Sequence, residues 1–263
     1  MRKPFALANW KMAMTISETI SFIRKFLPLV SDLAEEVDIV ICPPFTALYV
    51  ASLELKGSKV QLGAQNLHPG PGQAWTGEIS AQLLVDVGCK WVMLGHWERR
   101  RHFGENDELV NRKVHAALEA GLRPILLVGE PADYSGELEP FLERQLKALT
   151  SGCSAEEIER MVFVYEPEGA IGVERPASPE HIGKGCAILR EKLREKFGAA
   201  AEKVRIIYGG SVSPEFAQAI LSLPDVDGLG ATRKGRDPET FASLVKWISE
   251  KLKPSHSFQC YGQ

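Results

Sequence analysis

Four polar residues of complementary chemical types stand directly after apolar runs of this 263-residue chain. Asn9 and Lys11 follow the first run, in ALANWKM, two positions apart and therefore on one face of an extended segment. His96 follows the fourth run, in LGHWERR, and Glu166 follows the sixth, in VFVYEPEGAIG. A carboxylate can remove a proton from carbon while a neutral imidazole and a lysine polarise the adjacent carbonyl oxygen. The set predicts proton transfer next to a carbonyl, with Glu166 as the base and His96 and Lys11 as its catalytic partners.

Glycines near these residues predict a site for an anion. Gly172 lies in the loop after Glu166, and YGGS at 208–211 follows the seventh apolar run. Glycine-rich loops and helix N-termini offer backbone N–H groups to phosphate, and in a barrel this site lies near the last two strands. We therefore expect a short phosphorylated substrate contacted by Gly172 and Ser211. The sequence has no metal, nucleotide or flavin signature, so no cofactor is expected.

Short apolar runs alternate with longer amphipathic stretches along the chain, and this order positions the polar residues. Strands that alternate with helices favour parallel pairing, and eight such units that close on themselves predict an α/β protein with a single (β/α)8 barrel. An open doubly wound sheet is the competing architecture, but no GxGxxG motif follows the first run. The predicted strands are Phe5–Ala8, Val37–Cys42, Val60–Ala64, Trp91–Leu94, Pro124–Val128, Val162–Tyr165, Val204–Tyr208 and Gly228–Gly230.

Helix signals lie between the predicted strands. Thr15 with Glu18 has the pattern of a capping box at the start of a helix over Ser17–Leu27, and Ser178 precedes Pro179 as a helix cap. The apolar residues at helical spacing in the first helix are Ile16, Ile20, Ile23 and Leu27. No linker or composition shift interrupts the chain. We therefore expect one barrel domain over residues 1–252, followed by a tail, residues 253–263, that has neither helical nor strand period.

Charge and composition exclude several classes of partner. The formal net charge is -3, with 44% hydrophobic and 25% charged residues, which leaves no basic excess for nucleic acid or an anionic membrane. No stretch approaches the ~18 apolar residues of a membrane span, and the N-terminal apolar run is too short for a signal peptide. A cytoplasmic protein is expected, because the cysteines are scattered without disulfide or zinc spacing. They are Cys42, Cys89, Cys153, Cys186 and Cys260.

Short motifs in colinear order resemble those of the triosephosphate isomerase family over nearly the whole chain. They are NWKM at 9–12, PPFT at 43–46, GAQN at 63–66, TGEIS at 76–80, GH-ERR at 95–100, YEP at 165–167, AIG at 170–172 and YGGSV at 208–212. The resemblance implies a TIM barrel and a cofactor-independent isomerase of carbohydrate metabolism, within glycolysis. The implied reaction interconverts glyceraldehyde 3-phosphate and dihydroxyacetone phosphate, an aldose and a ketose, through an enediolate.

The same resemblance assigns roles to individual residues. It implies that Lys11 and Asn9 contact the substrate. It also implies that His96 is the electrophile and Glu166 the base, which is the acid–base pair already known for this family. Glu98 resembles a carboxylate that supports the catalytic residues.

The resemblance also extends to assembly. The segment from Gln65 to Glu78 is similar to the loop through which two subunits of this family join as a homodimer. It implies that Thr76 braces the partner's copies of the substrate-binding residues after the first strand. Arg99 with Glu78 resembles a structural ion pair of the family.

Three departures from the family pattern fall around the substrate. Trp97 stands where the family has serine. Glu168-Gly169 replaces Val-Trp after YEP, and is expected to loosen a hinge and to bring negative charge close to the base and the phosphate. Thr232 and Arg233 replace the two glycines of the last loop. Both are expected to contact the substrate and to resist any left-handed backbone there, with Arg233 gripping the phosphate.

Two alternative functions stay open at this stage. An arginine at the second glycine position, and the AWTGEIS form of the dimer loop, also resemble relatives that act on four-carbon ketose phosphates. The first alternative is therefore an isomerase or racemase of erythrulose phosphate. The second is a non-catalytic barrel that serves as a binding or scaffold protein. The complete set of four polar residues argues against this second alternative, because a protein without turnover has no physical need for all of them.

Overall fold

Eight parallel strands close into a barrel in a computed structural model of the chain, which describes residues 2–70 and 72–251. The strands are β1 (Phe5–Asn9), β2 (Asp38–Cys42), β3 (Gln61–Ala64), β4 (Trp91–Leu94), β5 (Arg123–Val128), β6 (Val162–Tyr165), β7 (Arg205–Tyr208) and β8 (Gly228–Ala231). Each strand pairs with the next, and β1 pairs with β8 from Phe5 opposite Gly228 to Ala8 opposite Ala231. The predicted (β/α)8 barrel is confirmed, and every predicted strand end lies within one residue of the observed end.

Helices follow the strands and cover the outside of the barrel. Those of the described chain are α1 (Ile16–Val30), α2 (Leu33–Glu36), α3 (Leu48–Glu54), α4 (Ala81–Asp86), α5 (Trp97–Phe103), α6 (Asp107–Glu119), α7 (Leu138–Leu149), α8 (Ala155–Ile158), α9 (Pro179–Phe197), α10 (Pro214–Leu221) and α11 (Pro238–Glu250). Short 3₁₀ turns lie at Phe45–Ala47, Glu168–Ala170, Gly198–Glu202 and Lys234–Arg236. Within the described residues, no helix is long and apolar enough to cross a membrane.

Side chains alternate between the inside and the outside of the barrel. In β1, Phe5 and Leu7 belong to a cluster inside the barrel, whereas Ala6 and Ala8 belong to the larger cluster between strands and helices. The period of two follows from the pleat of a strand. Because both faces are covered, the strands read as continuous apolar runs rather than as alternating ones.

The first helix is capped as predicted, and it buries only part of the predicted apolar stripe. Thr15 Oγ1 accepts the Glu18 N–H at 3.4 Å, and the Glu18 carboxylate accepts the Thr15 N–H at 2.7 Å, which forms the capping box. Ile16 is 52% exposed. Ile23 is buried as expected, and Leu27 is partly buried against the core. The buried residues of the helix are Thr19, Phe22, Ile23, Phe26 and Val30. Phe22 meets Trp10 edge to face, and Phe26 stacks against Phe241.

The cap predicted at the start of α9 is also present. Ser178 Oγ accepts the His181 N–H at 3.2 Å, and Pro179 occupies the first turn. Proline is tolerated there because its missing N–H would have no partner within the helix. The predicted tail, residues 253–263, with Cys260, lies outside the described residues.

Candidate active site

Three of the predicted site residues meet in the mouth of the barrel. Asn9 ends β1, His96 is the N-cap of α5 just after β4, and Glu166 follows β6 directly. All three are buried, with 8%, 6% and 4% of their surfaces exposed. Parallel strands deliver their carboxyl ends to one mouth of a barrel, which is why residues so far apart in sequence converge. His96 Nε2 lies 3.6 Å from Glu166 Oε2.

Lys11 reaches the same mouth from a strained turn. Its φ is +52°, in the left-handed region that costs a non-glycine residue roughly 1–2 kcal/mol. Asn9 Oδ1 accepts the Lys11 N–H at 2.9 Å, and Gln65 Nε2 donates to the Lys11 carbonyl at 2.8 Å. These two hydrogen bonds hold the turn in that conformation. The Lys11 ammonium forms an ion pair with Glu98, with Nζ 2.5 Å from Oε1.

The imidazole of His96 is neutral and has a defined tautomer. Its Nδ1 accepts the Glu98 N–H at the start of α5 at 3.2 Å, so the ring proton is on Nε2. Burial, together with the nearby charge of Lys11, lowers the pKa of His96 to about 4. An uncharged ring therefore directs an N–H toward Glu166 at neutral pH.

Glu166 is held through its main chain, while one of its carboxylate oxygens stays unpaired. Its N–H donates to the Val128 carbonyl at 2.8 Å, and its own carbonyl accepts the Trp97 indole N–H at 3.2 Å. Oε2 has no hydrogen-bond partner among the described residues, and neither has His96 Nε2. Burial raises the pKa of Glu166 to about 8, and the Lys11 ammonium opposes that rise. The result is a carboxyl group that can take or give a proton near neutral pH.

Glycine is required beside Glu166 by close packing. A Cβ on Gly209 would lie 2.3 Å from Val164 Cγ1 and 3.5 Å from Glu166 Cβ. A Cβ on Gly210 would lie 2.1 Å from the Tyr208 hydroxyl oxygen. Real Cβ atoms essentially never come closer than 3.0 Å to another heavy atom, so a side chain at Gly209 or Gly210 would force a neighbour to shift. The loop after β7 can therefore approach the base only as bare backbone.

We call residues 167–177, which follow β6 and Glu166, the lid. A cavity of about 820 Å³ opens between the lid, the loop after β7 and the loop after β8. Its lining contains six of the eight predicted site residues, namely Lys11, Glu166, Gly172, Ser211, Thr232 and Arg233. Asn9 lines a narrow adjoining space next to Glu166 and Thr232. His96 is not among the residues that line these two spaces, and its Nε2 lies 3.6 Å from Glu166 Oε2 at their edge.

The lid is docked against the loop after β7. The Ser211 N–H donates to the Ala170 carbonyl at 2.8 Å, and Ser211 Oγ donates to the Val173 carbonyl at 2.5 Å. The Tyr208 hydroxyl accepts the Ala177 N–H at 3.0 Å. These bonds hold both the middle and the end of the lid over the cavity.

The loop that carries Thr232 and Arg233 is not strained, which corrects one expectation. Arg233 has φ −61° and ψ −46°, so the backbone there is right-handed and accepts any side chain. The loop is tethered instead by Trp10, whose indole N–H donates to the Gly235 carbonyl at 2.7 Å. Arg233 Nη2 donates to the Val173 carbonyl at 3.3 Å, so this residue links the loop to the lid.

A second expectation, free negative charge from Glu168, is also wrong. Its carboxylate forms two hydrogen bonds of 2.6 Å with Arg101 and accepts the Ala132 N–H at 2.9 Å. The Arg101 side chain holds the pKa of Glu168 below its usual range. The charge is therefore neutralised by α5. It is not presented to Glu166.

The resemblance-based ion pair between Arg99 and Glu78 is a third correction. In the described part of the chain, Arg99 pairs with Glu105, which also binds Lys113. Lys113 in turn donates to Asn66 Oδ1 at 2.8 Å. Glu105 is buried and comes closer along the chain to Arg99 than Glu78 does, so the guanidinium is satisfied locally.

The contributions of Trp97, Arg101 and Gln65 were not predicted. The sequence shows Trp97 in place of the family's serine, and an indole next to the electrophile brings an N–H that needs an acceptor. Gln65 follows β3 directly, so the rule that singled out residues after strands applied to it as well. For Arg101 the sequence gives no signal, because its partner is 67 positions away.

The fold and the protonation states together define a class of protein. A buried carboxyl group with a raised pKa faces a neutral imidazole in the mouth of a closed parallel barrel. This is the arrangement of a (β/α)8-barrel enzyme that works by acid–base chemistry.

Comparison with known proteins places the chain in one family of that class. The family model described as Triosephosphate isomerase matches residues 4–248. A triosephosphate isomerase of Symbiobacterium thermophilum is 46% identical over 253 residues, covering 95% of this chain and 98% of that protein. One from Carboxydothermus hydrogenoformans is 42% identical over 249 residues, with 94% and 99% covered. A crystal structure of triosephosphate isomerase from Bartonella henselae has a TM-score of 0.84 and 31% identity, covering 93% of this chain and 98% of that one. The chain belongs to the triosephosphate isomerase family.

Proposed function

We propose that this enzyme interconverts glyceraldehyde 3-phosphate and dihydroxyacetone phosphate through an enediolate. The observation that carries the proposal is the unpaired Oε2 of Glu166, buried beside the Nε2 of His96 and beside a cavity that Lys11 also lines. Proton transfer between adjacent carbons needs one group that can both accept and return a proton. A carboxyl group with a pKa of about 8 has that ability near neutral pH.

In the proposed reaction, Glu166 removes the proton from the carbon next to the carbonyl and delivers it to the neighbouring carbon. His96 donates its Nε2–H to the substrate oxygen on which negative charge develops. Because the ring is neutral, this bond stabilises the enediolate without first transferring a proton to the carbonyl. Lys11 adds a positive charge to the same region, and Asn9 keeps its turn in place.

The phosphate of the substrate occupies the outer part of the cavity in this proposal. Gly172 and Ser211 approach it from the lid and from the loop after β7. Thr232 and Arg233 approach it from the loop after β8, and all four residues line the cavity. A guanidinium binds phosphate by charge-assisted hydrogen bonds, so Arg233 supplies charge where glycines would supply only N–H groups.

The side-by-side assay that tests this function measures kcat/KM for triose phosphates and for erythrulose phosphate on the same preparation. We expect the triose phosphates to be turned over more efficiently, since the relatives described above are triosephosphate isomerases. Efficient turnover of the four-carbon substrate alone would replace the proposed substrate. Absence of turnover with all of them, in a folded protein, would favour the non-catalytic alternative.

We further propose a homodimer formed through residues 65–78. Exposed apolar side chains near the mouth of the barrel support an interface, since Met12 is 98% exposed and Trp75 is 53% exposed. Thr76 is exposed in the same loop and would enter the partner's site.

We also infer one barrel domain over residues 1–252. We infer a cytoplasmic location as well, which the free thiols of Cys42, Cys89, Cys153 and Cys186 support.

A further inference from the structure

We call residues 166–169 the hinge, because they join β6 to the rest of the lid. The hinge is bound to α5 at two points. The Trp97 indole N–H donates to the Glu166 carbonyl at 3.2 Å. Arg101, one helical turn further along α5, forms two hydrogen bonds of 2.6 Å with the Glu168 carboxylate. The same helix begins immediately after His96. One short helix therefore contacts both the imidazole and the segment that carries the base.

These contacts matter because the carboxylate of Glu166 is not held directly. Its Oε2 has no partner among the described residues, so the position of the carboxylate depends on the backbone from which it projects. That backbone is fixed before Glu166 by the Val128 carbonyl and after it by Trp97. The Glu168 N–H then donates to the Glu130 carbonyl at 3.0 Å. The base is thus positioned while its oxygen stays available for a substrate proton.

Packing holds the first half of the hinge, where Glu166 and Pro167 are buried, but not Gly169, which is exposed. Gly169 has no side chain, and a Cβ there would have only Ala132 atoms nearby, at 3.9 and 4.0 Å. Cavities of about 230 Å³ and 420 Å³ lie beside it, and Gly169 lines both. With this space on two sides, the second half of the hinge is held mainly by the polar contacts of Glu168.

We propose that Trp97 and Arg101 of α5 are positioning residues that hold the hinge, and with it Glu166, against His96. The proposal rests on the proposed function for its catalytic consequence. The ion pair has two parallel bonds and therefore a defined direction, and the Glu168 side chain is 14% exposed while that of Arg101 is 46% exposed. Arg101 and Trp97 act through the hinge and touch no reacting atom.

The first test compares Arg101→Met with Arg101→Lys. Methionine keeps much of the apolar stem and removes the charge, whereas lysine keeps the charge and loses the fork. Because a displacement of about 1 Å costs up to roughly 10²-fold in rate, we expect kcat to fall about tenfold or more in Arg101→Met. KM should change little, and Arg101→Lys should recover part of kcat. High salt should lower kcat of the unmodified enzyme more than that of Arg101→Met.

Arg194→Met is the matched control, since Arg194 lies in the last turn of α9 and its side-chain hydrogen bonds within the described residues go to Glu202. It should leave kcat and KM unchanged. Trp97→Phe, which removes the indole N–H but keeps a ring, should lower kcat in the same direction as Arg101→Met. Unchanged kcat in both Arg101→Met and Trp97→Phe would overturn the proposal.

A second measurement needs no substrate. Hydrogen exchange of the peptide that covers residues 166–177 should be faster in Arg101→Met than in the unmodified protein, and unchanged in Arg194→Met. Equal exchange in all three proteins would mean that α5 does not hold the hinge. If the unmodified enzyme fails to isomerise triose phosphates, the proposed function fails, while the exchange result still decides whether α5 holds the hinge.

Discussion

Burial shifts the pKa values of Glu166 and His96 in opposite directions, and this sets their chemistry. Removing water disfavours the charged form of either group, so the carboxyl pKa rises to about 8 and the imidazole pKa falls to about 4. Lys11 acts on both pKa values, because its positive charge favours the carboxylate and disfavours the imidazolium. At neutral pH, Glu166 can therefore change its protonation state, while His96 stays neutral and donates a hydrogen bond.

Shortening the base should cost far more rate than affinity. Glu166→Asp withdraws the carboxylate by one methylene, and proton transfer depends steeply on distance, so kcat should fall by about 10²-fold or more. KM should stay nearly constant, as measured in steady-state assays with triose phosphate. Glu180→Asp, in the exposed first turn of α9, is the matched control. Equal kcat in Glu166→Asp and the control would assign the base to another residue.

Glu166 should also make the protein less stable at high pH. Its folded-state pKa of about 8 lies above the ordinary value of 4.5, so its contribution to stability is complete below 4.5 and is lost as pH rises through about 8. Glu166→Gln removes a buried charge, so it should raise Tm at about pH 9 more than at about pH 5. Thermal unfolding at both pH values measures this, with the exposed Glu36→Gln as control. A Tm gain that does not depend on pH would contradict the raised pKa.

At the scale of elements, the site is assembled from loops that hold one another. Trp10 ties the turn after β1 to the loop after β8, through the Gly235 carbonyl. Ser211 and Arg233 tie the lid to the loops after β7 and β8. Loops are in general more mobile than the strands that they follow. Their mutual hydrogen bonds give the cavity its shape.

Arg233 should contribute to binding more than to chemistry. Its guanidinium lines the cavity, and loss of a charge-assisted bond to phosphate costs roughly 1.5–3 kcal/mol. Arg233→Met should therefore raise KM for triose phosphate about tenfold or more, with a smaller change in kcat. Lys246→Met removes an exposed cation of α11 outside the cavity and should have no effect.

The double variant Thr232→Gly/Arg233→Gly extends this test to the choice of substrate. It should shift the ratio of kcat/KM between triose phosphate and erythrulose phosphate if these side chains select the sugar. An unchanged KM in Arg233→Met, together with an unchanged ratio in the double variant, would show that the loop after β8 acts only on the lid.

At the scale of the whole molecule, two exposed apolar side chains, Met12 and Trp75, lie in loops that follow strands of the barrel. Met12 follows Lys11 by one residue, and Trp75 and Thr76 lie in the loop after β3. Gln65, at the base of that loop, donates to the Lys11 carbonyl. Covering this loop with a second subunit would therefore also stabilise the strained turn at Lys11.

Disrupting the proposed dimer should lower activity. Thr76→Arg with Trp75→Asp places charges in the loop, so we expect a monomer by sedimentation at micromolar concentration and a loss of kcat. Leu29→Asp changes an apolar side chain of α1 that is 47% exposed, and should leave the dimer intact. A fully active monomer, for the unmodified protein or for the double variant, would rule out a role for the interface in catalysis.

The sequence by itself determined the order of the elements and the identity of the central residues. Short continuous apolar runs between helical stretches predicted all eight strands, because strands that are covered on both faces are apolar throughout while helices keep a period of 3.6. Asn9, Lys11, His96 and Glu166 were found because residues after parallel strands must share one mouth of the barrel. Colinear motifs predicted the family, which the comparisons confirm.

Only the tertiary structure decided the distances, the protonation states and the partners. The buried face of α1 was predicted only in part, since Ile23 is buried as expected but Ile16 is exposed and Phe22 and Phe26 are buried as well. Glu168 was expected to carry a free charge, but Arg101 neutralises it from a position 67 residues earlier in the chain. The spacing of residues along the chain does not show which distant side chains come into contact. A pKa depends on which of these distant groups exclude water and which bring charge. The opposite shifts of Glu166 and His96 therefore exist only once the barrel has closed around them.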